Sequence, residues 1–218
     1  MTPVISIVGK SKSGKTTLIE KLIPELKSRG YRVATVKHTR DDVNLDEPGK
    51  DSWRHIQAGS EATIIRTATQ VTMIKPMAEA SIDDIAALFA EDYDIVLAEG
   101  FKQDNAPKIE VHRKESGPPL KGVKKLAAIV SDEPLATRTR QFSLEDIVSL
   151  VDFLEMGFIR SEENRVTLRV DGADIPLSGF PKDYIAGILT AMAAGLRGVG
   201  EFRGLKFFLK IGKSGKPS

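Results

Sequence analysis

Cysteine is absent from this chain of 218 residues. Without thiols the protein forms no disulfide, and it lacks the thiolate ligands of structural zinc sites and iron–sulfur clusters. Histidine is scarce as well, with only His38, His55 and His112. The clustered histidine and cysteine side chains of metal-insertion chaperones are therefore missing. A chain without cysteine agrees with a reducing compartment, and we expect the protein to be cytoplasmic.

Long apolar runs are also absent. Runs such as VISIV at 4–8 and DIVLA at 94–98 are far shorter than the roughly 20 residues that a membrane helix needs. The start of the chain has no basic region followed by a long apolar one, so we expect neither secretion nor a membrane partner. The formal net charge is only +2, with both signs mixed along the chain, and we therefore expect no nucleic-acid partner.

Short β-branched segments alternate with helical patterns over the first 160 residues. This alternation is typical of βαβ units and predicts a mainly parallel sheet with helices on both faces. Apolar residues recur at helical spacing from Leu18 to Leu26, and Gly30 is a suitable residue just past the helix end. Strands are predicted at 4–8, 31–37, 62–66, 71–75, 94–98, 108–112 and 125–130.

Two further helices are indicated by their first residues. Ser81 and Asp84 predict the start of a helix over 82–92, because a hydroxyl can cap the first turn and an acid complements the helix dipole. Ser143 and Asp146 predict the start of another helix, which is expected to end near Gly157. Its inner face is predicted to carry Leu144, Ile147, Val148, Val151 and Leu154.

The character of the sequence changes after Ser161, where the pattern becomes strand, turn, short strand, helix, strand. So few residues make a thin core, and the segment is expected to pack on the main domain or on a second copy. We predict a main domain over 1–160, a small α+β appendage over 161–212 and a disordered tail over 213–218.

The segment from Gly9 to Thr16, GKSKSGKT, fits the phosphate-binding pattern G-x-x-x-x-G-K-[ST]. Its glycines let backbone N–H groups approach phosphate oxygens, and the following helix directs its positive dipole end at the same anion. Lys15 is expected to reach the β and γ phosphates, and Thr16 to ligate Mg²⁺. The predicted fold class is thus α/β: a mainly parallel P-loop NTPase sheet with helices on both faces, plus a small C-terminal α+β appendage.

A P-loop also requires an acidic group at the end of a neighbouring strand, and Glu99 follows the apolar segment IVLA. We expect Glu99 to position the metal or its water. Lys10 stands five residues before Lys15, as in the deviant P-loops of dimeric ATPases, and is a candidate phosphate contact. His38 is a candidate for orienting a ligand at a strand end, or a structural histidine.

The motifs together resemble the molybdopterin-guanine dinucleotide biosynthesis protein B (MobB) family. The resemblance rests on the phosphate loop, VKH ending at His38, D-x-PGKDS from Asp46, LAEGFK at 97–102, PKIEVHR at 107–113 and AIVSD ending at Asp132. It covers about 150 residues, and the C-terminal appendage is similar to an extension found on some members.

The resemblance implies a GTP-binding accessory protein with weak GTPase activity, usually dimeric, that assists attachment of GMP to molybdopterin. Its cofactors would be GTP and Mg²⁺, and its partners the molybdenum cofactor guanylyltransferase and also molybdopterin. Lys15 and Glu99 would serve catalysis. Thr16, Asp46 and Glu99 would line the metal side. The nucleotide-binding residues would be Gly9, Lys10, Ser11, Lys12, Ser13, Gly14, Lys15, Thr16, Thr17, Lys37, His38 and Asp132.

The chain departs from the family where Arg40, Asp41 and Asn44 replace the usual two histidines and an aspartate. It has no N-K-x-D guanine signature, so the guanine preference rests on the resemblance. Arg40, Arg54 and Arg66 are candidate arginine fingers. The alternative is a P-loop small-molecule kinase; a third interpretation, a metal-insertion chaperone GTPase, usually requires the clustered histidines and cysteines that this chain lacks. The polar stretch 39–61 is interpreted as a loop that folds over a bound anion, with Asp51 or Ser52 capping a helix.

Overall fold

A computed structural model describes residues 2–39, 46–89, 93–160, 168–170, 173–175, 177, 179–200 and 205. These residues divide into two compact units, Met1–Glu162 and Glu163–Ser218. The strands are β1 Val4–Gly9, β2 Val33–Lys37, β3 Thr63–Arg66, β4 Val71–Ile74, β5 Ile95–Glu99, β6 Lys108–His112, β7 Leu126–Ser131, β8 Arg140–Ser143, β9 Leu168–Val170 and β10 Ala173–Ile175. The helices are α1 Lys15–Ser28, α2 Asp51–Gln57, α3 Ile82–Ala87, α4 Ile147–Leu154 and α5 Phe180–Ala194.

Six strands of the first unit form one sheet in the order β2-β5-β1-β6-β7-β8, and every neighbouring pair is parallel. All six carboxyl ends therefore meet at one edge. Because β2 and β5 lie on one side of β1 and β6 to β8 on the other, the connections diverge beside β1. In open α/β sheets such a crevice is where ligands bind.

Helices cover both faces of this sheet, as predicted. On one face α1 and α4 pack against Ile7, Leu97 and Ile109 in the larger core. On the other face Ile82 and Ala86 of α3 pack against a smaller core. The expected cap of α3 is present, since Ser81 accepts from Asp84 N and the Asp84 carboxylate accepts from Ser81 N in turn.

The end of α1 also follows the prediction. Gly30 adopts a positive φ of 88°. Its N–H donates to the carbonyl of Lys27, and that of Tyr31 donates to Leu26. This pair of bonds is the Schellman arrangement that terminates helices at a left-handed residue.

One strand, β6, alternates in an unusual way because both of its faces are buried but only one is apolar. Ile109 and Val111 enter the larger core, whereas Lys108, Glu110 and His112 are 0%, 2% and 3% exposed. Lys108 Nζ donates to the carbonyls of Asp104 and Ala106, and burial lowers the pKa of this lysine. The buried charge is thus stabilised by main-chain acceptors.

Several expectations about elements were wrong. Ser143 ends strand β8, which was not predicted, and α4 begins only at Ile147. Asp146 caps α4 by accepting from Ser149 N. Val148, predicted on the inner face, is 56% exposed, whereas Leu150 is fully buried.

The helical path after α4 also differs from the prediction, because a π-helical turn, Glu155–Ile159, carries it past Gly157. The strands β3 and β4 are present but pair antiparallel with each other in a separate hairpin. At α2 neither expected residue is the cap. Its N-cap is Lys50, whose side chain makes no capping bond.

The second unit contains the antiparallel pair β9 and β10 and the helix α5. The expected strand near 205–211 and the tail over 213–218 lie outside the described residues, Leu205 excepted. Across the described residues, we found no helix that is both long and apolar enough to span a membrane.

Candidate functional site

The loop between β1 and α1 is shaped by three residues with positive φ. Gly9 (φ 156°) has no room for a side chain, because a Cβ there would lie 2.5 Å from both Ser13 Oγ and the carbonyl oxygen of Val111. Lys12 and Gly14 have φ of 61° and 95°, in the left-handed region. Gly14 is the N-cap of α1 and offers no side-chain cap, so the first N–H groups of the helix stay available for an anion.

Lys15 is the first residue of α1 and folds back over the loop. Its Nζ donates to the carbonyl of Lys10 at 2.8 Å. Burial lowers the pKa of this ammonium; the charge of Glu99 opposes the shift, and Lys102 and Lys37 reinforce it. Three cations therefore share this edge of the sheet, which produces a local excess of positive charge suited to an anion.

Thr16, in the first turn of α1, faces Glu99, the last residue of β5. Thr16 Oγ1 lies 3.1 and 3.0 Å from the two carboxylate oxygens of Glu99, to which it donates. Glu99 ends β5, directly beside β1, and its backbone position is paired with Lys37 of β2. The carbonyl of Glu99 accepts from His38 N at 3.0 Å. A hydroxyl and a carboxylate at this distance form a suitable donor set for Mg²⁺, which binds oxygen ligands.

His38 has a structural role in this arrangement. Its ring meets that of Phe101 edge to face, with centroids 5.2 Å apart. Gly100 has φ of 101°, and a Cβ there would lie 3.2 Å from the Cβ of His38. The histidine thus packs against the turn that follows Glu99.

The remaining predicted residues fall into two groups. The structure places Ser11, Lys12, Ser13 and Thr17 within the loop or the first turn of α1, with Ser13 fully buried. Asp46 accepts from Ser52 Oγ at 2.7 Å, and within the described ranges no contact joins it to Thr16 or Glu99. The same ranges contain no group of three or more histidine or acidic side chains that could together hold a metal ion.

Lys10 is used within its own chain. Its Nζ donates to the carbonyl of Ser116 at 2.7 Å, in the 3₁₀ turn Lys114–Ser116 that follows β6. Of the candidate arginines, Arg54 lies 3.7 Å from Asp51 on α2, Arg66 ends β3, and Arg40 lies outside the described residues.

The sequence reasoning missed Arg113, which lies beside the loop. Its Nη2 is 3.6 Å from the position that a Cβ of Gly14 would occupy, and its Nη1 is 3.8 Å from Asp132 Oδ2. Asp132 Oδ1 accepts from Lys114 N at 2.9 Å. The available signal was its position, because Arg113 directly follows a buried strand at the edge where the loop lies.

Comparisons with known proteins identify the family. Residues 4–132 match the sequence profile of the family described as Molybdopterin guanine dinucleotide synthesis protein B, MobB. A molybdopterin-guanine dinucleotide biosynthesis adapter protein of Haemophilus influenzae is 40% identical, over 70% of this chain and 88% of that protein. The chain belongs to the MobB family.

Two further MobB comparisons extend the match. The crystal structure of a MobB protein homolog from Bacillus stearothermophilus is 29% identical, with a TM-score of 0.53, over 72% of this chain and 98% of that one. A relative from Methanocaldococcus jannaschii is 25% identical over 96% of this chain and 98% of its own, so it also spans the second unit. Family membership places the chain in molybdopterin guanine dinucleotide synthesis, as the resemblance implied.

Proposed function

We propose that the chain binds GTP and Mg²⁺ at the loop from Gly9 to Thr16 and acts as a weak GTPase that assists GMP attachment to molybdopterin. The observation that carries the proposal is the contact of Thr16 with Glu99, directly beside a helix N-terminus and a lysine. This combination supplies an anion cradle and an oxygen donor pair at one place.

The residues fit a triphosphate with its metal. Gly9 allows the tight turn of the loop, because a Cβ there would clash with Ser13 Oγ and with the carbonyl oxygen of Val111. Lys15 needs only to exchange the Lys10 carbonyl for a phosphate oxygen. Thr16 and Glu99 would hold Mg²⁺, the threonine directly and the carboxylate through water. Bound Mg²⁺ would neutralise phosphate charge.

Hydrolysis is expected to be slow. Lys15 would stabilise the charge that develops on the transferred phosphoryl group, and Glu99 would orient a water molecule. Arg54, a candidate finger, is paired with Asp51 on its own helix. Activation would then depend on the partner or on a second copy of the chain.

The adapter role implies a partner enzyme. We expect the guanylyltransferase of the molybdenum cofactor to bind the GTP-loaded protein, with molybdopterin as a further candidate ligand. A cytoplasmic homodimer is the form in which we expect the protein to act.

Lys15→Ala should abolish Mg-GTP binding in titration calorimetry, because the loop loses its point charge to the β and γ phosphates. The thermal melt of the free protein should change little, since the Nζ makes one hydrogen bond, to the Lys10 carbonyl. Lys27→Ala, at the other end of α1 and exposed, is the matched control and should bind as the wild type does. Wild-type affinity in Lys15→Ala would contradict the proposal.

A further inference from the structure

Arg113 occupies the crevice where the sheet connections diverge. It follows β6 directly, and β6 is the neighbour of β1 on the side opposite β5. Its guanidinium reaches back over Gly14, the N-cap of α1. The charge of Arg113 also contributes, after that of Lys21, to the lowered pKa of Glu145, which follows β8. Arg113 therefore stands where the loops after β1, β7 and β8 meet.

Among the described residues, the guanidinium of Arg113 has N–H donors that no acceptor takes. The separation of 3.8 Å from Asp132 is an ion pair but too long for a hydrogen bond. Throughout the part of the chain that the structure describes, the Arg113 side chain donates no hydrogen bond. By contrast, Arg32 donates to both carboxylate oxygens of Asp94, at 3.2 and 3.1 Å. Five N–H donors in a fixed planar fork beside an anion cradle match a phosphate group.

The turn that carries Arg113 is fixed from several directions. Ser116 N donates to the carbonyl of Arg113 at 2.9 Å, and Lys10 Nζ donates to the carbonyl of Ser116 at 2.7 Å. Lys114 N donates to Asp132 at 2.9 Å. Lys10 of the phosphate loop and Asp132, directly after β7, thus hold the backbone that follows this arginine. Such preorganisation lowers the entropy lost when the side chain takes a ligand.

The side of the loop on which Arg113 lies decides which part of a nucleotide it meets. Thr16 turns towards Glu99 on β5, so the metal and the terminal phosphates belong to that side. Arg113 lies on the β6 side, across the loop from Glu99. A polyphosphate with its metal end at Glu99 would extend along the loop towards β6 and so bring its α-phosphate end to Arg113.

We propose that Arg113 is a nucleotide-binding residue supplied by the same chain, with its guanidinium on the α-phosphate end rather than on the γ-phosphate. This inference rests on the proposed function, because it assumes a nucleotide in the loop. Asp132 holds the guanidinium in place in the free protein, and the ligand engages its free donors.

The test is titration calorimetry of the full chain with Mg-GTP and Mg-GDP, for the wild type, Arg113→Gln and Arg113→Lys. Arg113→Gln should lower the affinity for both nucleotides by roughly ten- to a hundredfold, as expected for the loss of one charge-assisted hydrogen bond. The ratio of GTP to GDP affinity should stay at the wild-type value. Arg113→Lys keeps the charge but loses the fork, so its loss should be intermediate.

Arg32→Gln is the matched control, because Arg32 is also paired with an aspartate but precedes β2, at the opposite edge of the sheet. It should bind both nucleotides as the wild type does. Melts by circular dichroism identify a misfolded variant, and if Arg113→Gln is one, Arg113→Lys decides the outcome. Wild-type affinities in the folded Arg113 variants, or a loss confined to GTP, would overturn this inference.

The variants of Lys15 and of Arg113 distinguish a failure of the proposed function from a failure of the role proposed for Arg113. If Lys15→Ala loses the nucleotide while the Arg113 variants keep it, the proposed function stands and the role of Arg113 falls. If Lys15→Ala retains wild-type affinity, the nucleotide site itself is misplaced, and the inference about Arg113 falls with it.

Discussion

Glu99 connects the sheet to the phosphate loop through its contact with Thr16. Both of its carboxylate oxygens lie within hydrogen-bond distance of the Thr16 hydroxyl. In the free protein this contact holds Thr16 in the position from which it would bind a metal. The pairing followed from the sequence, because adjacent parallel strands end at the same edge of the sheet.

Glu99→Gln should reduce the effect of Mg²⁺ on nucleotide affinity more than it reduces nucleotide affinity itself. The amide keeps the size and one acceptor oxygen of the carboxylate but removes its charge, so the gain in GTP affinity on adding Mg²⁺ should fall about tenfold or more. Affinity in EDTA should be unchanged or higher, since a negative charge near the phosphates is gone. Calorimetry with and without Mg²⁺ measures both.

The control for this variant is Glu145→Gln, which removes an exposed carboxylate paired with Lys21 at 2.7 Å. It should leave the Mg²⁺ response intact. A wild-type Mg²⁺ response in Glu99→Gln would remove Glu99 from the metal site.

Other site residues could not be placed from the sequence. Asp46 lies in a long polar connection whose path no local pattern fixes, and the structure shows it bonded to Ser52. Arg113 was not among the predicted arginines, Arg40, Arg54 and Arg66, which lie in the connection after β2 and in β3. Its position depends on the order of the strands, which places β6 beside β1.

At the scale of elements, α3 offers a direct test of local capping. The helix has six residues, and its first N–H groups depend on the box formed by Ser81 and Asp84. Ser81→Ala should lower the free energy of unfolding by about 1 kcal/mol, the usual loss for a hydroxyl cap. Urea unfolding followed by circular dichroism measures the change.

Ser28→Ala provides the comparison, because the Ser28 hydroxyl only donates to the carbonyl of Glu25 within its own helix. The free energy of unfolding of Ser28→Ala should stay within about 0.5 kcal/mol of the wild-type value, as for most exposed substitutions. Equal unfolding free energies for Ser81→Ala and the wild type would mean that α3 is held by packing alone.

The elements that the sequence did not reveal have two separate physical causes. Strand β8 is four residues long and buries only Phe142, so no alternating apolar pattern reveals it. The strands β3 and β4 were recognised, but their membership of a separate hairpin was not. Only four residues connect them, and a parallel pair would need a longer crossover. The short connection is therefore the feature of the sequence that indicates a hairpin.

At the scale of the whole molecule, the adapter role predicts nucleotide-dependent assembly. The tagged full chain should recover the guanylyltransferase from an extract of its own cells when Mg-GTP is present, and far less with Mg-ATP or no nucleotide. Lys15→Ala should recover little of it under every condition. Mass spectrometry of the captured proteins provides the measurement.

Equal capture with GTP, ATP and no nucleotide would contradict a GTP-dependent adapter. Transfer of the γ-phosphate to a small molecule in the same extract would instead favour the kinase alternative. The sheet, its P-loop and the family followed from the sequence, because their motifs are local. The second unit carries no such motif, so the sequence indicated its elements but not a function.

The three buried polar side chains of β6 also determine how this strand aligns with β1. Lys108, Glu110 and His112 alternate with Ile109 and Val111, and the two sets face opposite sides of the sheet. A shift of one residue against β1 would drive a lysine, a glutamate and a histidine into the core beneath α1 and α4. Such a misalignment would carry a high energetic penalty, so the buried polar side chains select a single register for β6 beside β1.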